Sequence, residues 1–138
     1  MGLFDFLKPK KEADFSSWHA ETDIDKFSGI EKADIESYLS RISDAIYEFV
    51  ILTPPEPLDG CKMMLVCRDE PSTFKMELRM QGETTMSKLY SKGGLDTSGV
   101  MDVLTKLAAD VKAPALDEWE LLGNFGDPRA KWHEMKLM

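Results

Sequence analysis

The chain has 138 residues, 43% of them apolar and 30% charged, as in a globular domain large enough to bury a real core. A net charge of −8 and a pI near 4.8 give a surface that repels phosphate, which argues against nucleic acid as a partner. No apolar run reaches the length of a membrane span and nothing resembles a secretory signal, so the expected compartment is the cytoplasm.

The first eight residues hold a compact apolar block, Leu3, Phe4, Phe6 and Leu7, followed by Lys8, Lys10 and Lys11. Such a block can rest on an anionic membrane surface, on a second copy of the chain, or on the protein's own core. One short turn buries little area, which favours docking over membrane contact. Phe6 stands where a myristoylation signal needs Ser or Thr.

From Glu12 to about Phe27 the chain reads as irregular and acidic, with Phe15, Trp18 and Phe27 spaced through it. So many aromatics suit an arm that wraps the domain better than a solvated tail. Residues 1–27 are therefore expected to be an N-terminal amphipathic segment and wrapping arm, and 28–138 a single α+β domain. Glu21, Asp23 and Asp25 alternate with Thr22 and Ile24, but the glycine and distal glutamate of a calcium loop are missing.

Ser28-Gly29-Ile30-Glu31 has the spacing of a capping box and predicts a helix start. Ile35, Tyr38, Leu39, Ile42, Ala45 and Ile46 then follow at the three-four spacing of one buried helical stripe. Glu48 to Leu52 is β-branched and aromatic enough for a strand. The prolines at 54, 55 and 57 hold the next segment extended.

The clearest pattern is Phe74 to Gln81, where even positions are apolar and odd ones polar, as in a strand with one core face. Upstream, Cys61, Met63, Leu65 and Cys67 are the apolar set of a partner strand. With Asp69 to Ser72 as the loop, Cys67 faces Phe74, Leu65 faces Met76, Met63 faces Leu78 and Cys61 faces Met80. Both apolar sets then share one face. A type II′ turn at Gly82-Glu83 would lead into a third strand over Thr84 to Ser91, with Glu77 opposite Lys88. That strand alternates poorly and reads as a sheet edge.

The thiols and thioethers on this hairpin suit Cu(I) chemically, but their spacing repeats no known site, and Met and free Cys fill cores as ordinary hydrophobes. Cys61 and Cys67, on one strand, stand about 20 Å apart, too far for a disulfide. Free thiols fit a reducing compartment.

Asp96 or Thr97 caps a second helix with the stripe Val100, Met101, Leu104, Leu107, Ala108 and Val111. Leu116 to Leu122 reads as a short helix closed by Gly123, with a strand as second choice. Asp127-Pro128 starts a C-terminal helix presenting Trp132, Met135 and Leu137.

Catalytic signatures are missing. His19 and His133 lie beside tryptophans near the chain ends, and burial of both cysteines would leave the thiols inert. His19-Ala20-Glu21 lacks the Pro-Cys-x-x-Cys of zinc deaminases, and Cys61 and Cys67 are too widely spaced for a zinc knuckle. No enzyme activity, cofactor or metal is expected. Recognition by contact remains, with Trp18, Trp119 and Trp132 as candidate anchors and Glu21, Asp23 and Asp25 as candidate acidic contacts for a basic protein partner.

The expected fold is α+β: an antiparallel sheet of about four strands with helices packed on one face. Over roughly Tyr47 to Gly123 the chain resembles small acidic immunity-type proteins of bacterial toxin loci. The resemblance rests on Phe49-Val50-Ile51-Leu52-Thr53-Pro54-Pro55, the Met-rich hairpin and Leu116-Asp117-Glu118-Trp119-Glu120. The apolar-basic N-terminus departs from that pattern. The resemblance implies a non-enzymatic binding protein that covers a basic site on another protein.

Overall fold

The computed structural model describes residues 13–81 and 87–125. In chain order they form β1 (His19–Thr22), β2 (Lys26–Ser28), α1 (Lys32–Ser43), β3 (Phe49–Thr53), β4 (Cys61–Arg68), β5 (Phe74–Gln81), β6 (Ser87–Leu95), α2 (Thr97–Asp110) and β7 (Glu120–Phe125). The strands make one antiparallel sheet of order β2-β1-β3-β4-β5-β6-β7. The class is α+β as expected, but the sheet has seven strands where about four were read.

The central hairpin is present in a different register. Val66 faces Met76, Met64 faces Leu78 and Leu65 faces Glu77, with a bulge between Cys61 and Met63 that brings Cys61 back opposite Met80. The loop has five residues, closed by Asp69 N–H donating to the Thr73 carbonyl (3.0 Å) and Thr73 N–H to that of Glu70 (3.2 Å). The physical reason is that both faces of the sheet are buried. Val50, Leu52, Met64, Val66, Met76 and Leu78 meet the helices. On the opposite face lies a second cluster of Ile51, Met63, Leu65 and Leu89, with Phe49 and Cys67 packed against it. Glu77 and Arg79, expected in water, are 3% and 0% exposed.

The β5–β6 register departs too. Gln81 faces Ser87, Glu77 faces Ser91 and Met80 faces Lys88, so Glu77 does not stand opposite Lys88, and the expected Gly82-Glu83 turn falls in the segment 82–86. Residues 82–86 lie outside the described residues. β6 pairs with β5 and β7, making it an interior strand, not an edge. The segment read as one short helix from Leu116 to Leu122 is split: Leu116–Glu118 is a 3₁₀ turn, and β7 takes the chain from Glu120 through Gly123.

α1 lies over β4, α2 over β5 and β6, and the helices touch each other. The cap of α1 is Glu31, three residues beyond the expected Ser28. Its side chain accepts from the N3 backbone, and Asp34 accepts from Glu31 N–H at 2.8 Å. Ser28 instead ends β2 and bonds His19 Nδ1 at 2.9 Å. α1 buries Ile35, Tyr38, Leu39 and Ile42. Ala45 leaves the stripe because it turns left-handed (φ 61), and Ile46 is thrown outward. Asp96 caps α2, its Oδ1 accepting from Gly99 N–H at 2.7 Å. The expected stripe stops short at Val111, a left-handed C-cap that is exposed.

The arm expected to be irregular is part of the sheet and core over its described residues. Phe15 packs edge-on against Trp18 at 4.9 Å within the main core, and β1 and β2 extend the sheet. The expected boundary after residue 27 therefore falls inside β2. The expected C-terminal helix lies outside the described residues.

Candidate partner-binding edge

At one side of the sheet the β1–β2 turn meets the α1–β3 turn. Thr22 organises the first: its Oγ1 accepts from the N–H groups of Ile24 (3.2 Å) and Asp25 (2.9 Å), the local bonding that favours threonine at turns. This leaves the carboxylates at 23 and 25 aimed across the gap. Asp23 Oδ1 accepts from Glu48 N–H at 3.0 Å, and Tyr47 donates its hydroxyl to Asp25 Oδ2 at 3.0 Å. Two distant turns are thereby clamped together.

Aromatic rings back this clamp. Phe27 stacks on Tyr38 with ring centres 5.2 Å apart, Tyr38 tilts against Tyr47 at 6.5 Å, and the Arg41 guanidinium lies 5.8 Å from the Tyr47 ring. Burial pushes the Tyr38 phenol up to about 12, helped by the nearby Asp34 and Tyr47. Tyr47 is also raised, first by burial and then by the hydrogen bond to Asp25 and its charge, with Arg41 opposing. Both phenols stay neutral in ordinary buffers and serve as rings and donors.

The clamp fixes an apolar pair in an acidic rim. Ile24 is 66% and Ile46 53% exposed, one on each of the joined turns. Asp23, Asp25, Asp44 and Glu48 are exposed beside them, with Glu31, Asp34 and Glu36 exposed along α1. Residues 13–48 hold nine carboxylates against three lysines and arginines, which leaves this edge strongly negative. A cleft of about 370 Å³ between β2 and α1 is lined by Phe27, Tyr38, Arg41, Tyr47, Asp25 and Asp34 among others.

Glu21, Asp23 and Asp25 all lie on the β1–β2 hairpin, where Asp23 and Asp25 accept the hydrogen bonds from the α1–β3 turn. The aromatic anchors behave differently. Trp18 and Trp119 are 2% and 7% exposed and belong to the core, so neither ring is offered to a partner. Their size made burial the stronger force. Trp132, Leu3, Phe4, Phe6 and Leu7 lie outside the described residues. Sequence reasoning missed Ile24, Ile46 and Glu48. The only signal for Ile24 was an apolar residue set between two acids.

Catalytic chemistry finds no constellation among the described residues. His19 bonds the Ser28 hydroxyl across the β1–β2 pair at 2.9 Å. Burial pushes the Cys61 thiol up to about 12, so it is not a nucleophile at neutral pH. No group of three or more His, Cys, Asp or Glu among these residues could hold a metal ion. No helix among them is long and apolar enough to cross a membrane.

No protein-family model, curated protein or solved structure matches the chain.

Proposed function

We propose that the chain is a non-enzymatic protein-binding domain, immunity-like in type, that covers a basic surface on another protein with its β1–β2–α1 edge. The observation that carries this reading is the exposed pair Ile24 and Ile46 set in a rim of carboxylates. Interfaces have this anatomy, an apolar centre that excludes water and a charged border that selects the partner. Pre-organisation supports it further, because the Asp23–Glu48 and Tyr47–Asp25 hydrogen bonds hold both turns before any partner arrives. The left-handed Ala45 between α1 and Ile46 is a strained position for a residue with a Cβ, of the kind retained where a turn must be aimed.

The test is recovery of partners from the native host on the immobilised full chain, compared with Ile24→Lys/Ile46→Lys and Asp44→Asn/Glu48→Gln variants. The expected partner is basic, is lost with the lysine pair, and binds the amide pair more slowly. Raising the salt should lower its association rate, since steering is screened within about 8–10 Å. A partner that is acidic, or indifferent to salt and to both variants, refutes the reading.

A further inference from the structure

We propose that the cleft between β2 and α1 receives an arginine side chain presented by the basic partner. This rests on the acidic edge being the partner site, and it names the group that the edge grips. The cleft holds about 370 Å³, within the roughly 300–1,000 Å³ of small-ligand sites. Its buried walls are the rings of Tyr38 and Tyr47, with Phe27 half-buried beside them, and Asp25 and Asp34 stand exposed at its rim. Asp25 and Tyr47 directly follow Ile24 and Ile46, which puts the cleft and the exposed apolar pair on the same two turns.

One group in the cleft points to a ligand. Tyr38 is 6% exposed, held between the stacked ring of Phe27 and the tilted ring of Tyr47. Its hydroxyl has no hydrogen-bond partner among the described residues, whereas the neighbouring Tyr47 hydroxyl donates to Asp25. The charges that act on the Tyr38 oxygen come from Asp34 and Tyr47, both walls of the cleft, so this end of the ring faces the cleft. A buried hydroxyl left unpaired costs stability, and phenylalanine would serve the ring packing alone. A donor arriving from outside accounts for the oxygen.

Charge selects that donor. Asp25 and Asp34 are joined to no cation in an ion pair among the described residues. Asp34 Oδ2 accepts from Glu31 N–H and Asp25 Oδ2 from Tyr47, which leaves each carboxylate with lone pairs to spare. An anion would meet these two charges and the other carboxylates of the acidic rim, so the ligand is a cation. Arg41 is the one cation lining the cleft among the described residues, and its guanidinium lies 5.8 Å from the centre of the Tyr47 ring. A guanidinium therefore fits against these rings, and Arg41 is exposed and free to swing aside. Arginine suits the site better than lysine, because its planar head stacks on aromatic faces while its fork of N–H groups reaches several oxygens at once. The Tyr38 oxygen takes one of those N–H groups and the carboxylates take others.

The experiment is a titration of the isotope-labelled full chain with acetyl-arginine methylamide, read from amide chemical shifts at physiological salt. The comparisons are acetyl-citrulline methylamide, the neutral isostere, and acetyl-lysine methylamide. The arginine probe should saturate with a dissociation constant on the order of 1 mM, with its shifts confined to residues 25–47. The citrulline probe should bind about tenfold more weakly, and the lysine probe more weakly than arginine. Tyr38→Phe should lose about tenfold in arginine affinity and keep its urea midpoint, since it deletes a hydroxyl without a partner in the free chain. A hydroxyl with a structural role alone would move the midpoint and not the affinity. Should that variant misfold, Asp34→Asn decides, because it keeps an oxygen for Glu31 N–H and should still weaken the arginine probe. No saturable shift, shifts centred elsewhere, equal affinity for citrulline or lysine, or full affinity in a folded Tyr38→Phe each overturns the proposal. An arginine probe that fails while a basic partner is still recovered, and is lost with the Ile24→Lys/Ile46→Lys pair, sinks the cleft and leaves the acidic-edge reading standing. A probe that binds when no basic partner is recovered retires that reading and leaves a guanidinium site.

Discussion

Met64 and Leu65 are adjacent on β4, so their side chains point to opposite faces of the sheet. Met64 is 0% exposed among the helix-facing residues, and Leu65 is 1% exposed beside Ile51 and opposite Glu77. Truncating either to alanine removes its side chain beyond Cβ from a filled site, leaving a cavity the neighbours only partly close. Core truncations of this kind cost about 2–5 kcal/mol, and full burial on both sides places each of these near 3 kcal/mol. A sheet with one wet face would give one such loss and one near zero, below about 0.5 kcal/mol. Urea unfolding reads the difference. With a slope of about 1.5 kcal/mol/M, each variant should unfold about 2 M earlier with the slope unchanged. Ile46→Ala, at a half-exposed position, serves as the control and should barely move. If either Met64→Ala or Leu65→Ala costs less than about 1 kcal/mol, the sheet is not buried on both faces and the β4 register described above is wrong.

Tyr38 titrates near 12 in the folded protein against 10.0 ordinarily, so its contribution is whole below pH 10 and is lost as pH rises toward 12. Alkaline unfolding curves should show that loss, and Tyr38→Phe should flatten it. Cys61 should stay silent to a thiol reagent at pH 8 in the native protein and react once urea unfolds it. Asp96→Ala removes the cap that accepts from Gly99 and should cost about 1 kcal/mol in thermal or urea unfolding, with little change in Asp96→Asn. Ala45→Gly relieves the left-handed strain and should raise stability by up to about 0.5 kcal/mol, because glycine's greater unfolded freedom offsets part of the gain.

The hairpin was legible because β5 alternates cleanly, yet its register was not. β4 is apolar at every position from Met63 to Cys67, so its own pattern carries no phase. The partner's alternation was read as core against water, whereas it separates one buried face from another. β1 and β2 escaped notice for a different reason. With four and three residues and several charges, they hold no apolar run, and only pairing with β3 and with each other makes them strands. Leu121 and Leu122 misled in the opposite sense. They were read as the end of a short helix closed by Gly123, whereas both lie in β7 and are exposed. The acidic half of the candidate edge could be read from Glu21, Asp23 and Asp25. Its apolar half could not, because Ile24 and Ile46 are joined by hydrogen bonds between residues 22 and 25 positions apart.

Burial of both sheet faces has a consequence for where this molecule can make contact. A sheet with one open face presents a flat platform. Here Ile51, Met63, Leu65 and Leu89 are already covered on one side, and the helices cover the other. What remains for recognition is the perimeter. Four of the five exposed large apolar side chains among the described residues sit there: Ile24 and Ile46 on the turns beside β1 and β2, and Leu121 and Leu122 on β7, with Val111 at the end of α2 as the fifth. The two sides of that perimeter differ in charge and in backbone. One is short-stranded and strongly acidic, the side to which the proposed function assigns a basic partner. The other is the six-residue β7, preceded by Asp117 and Glu118, with Lys92 of β6 3.4 Å from Glu118.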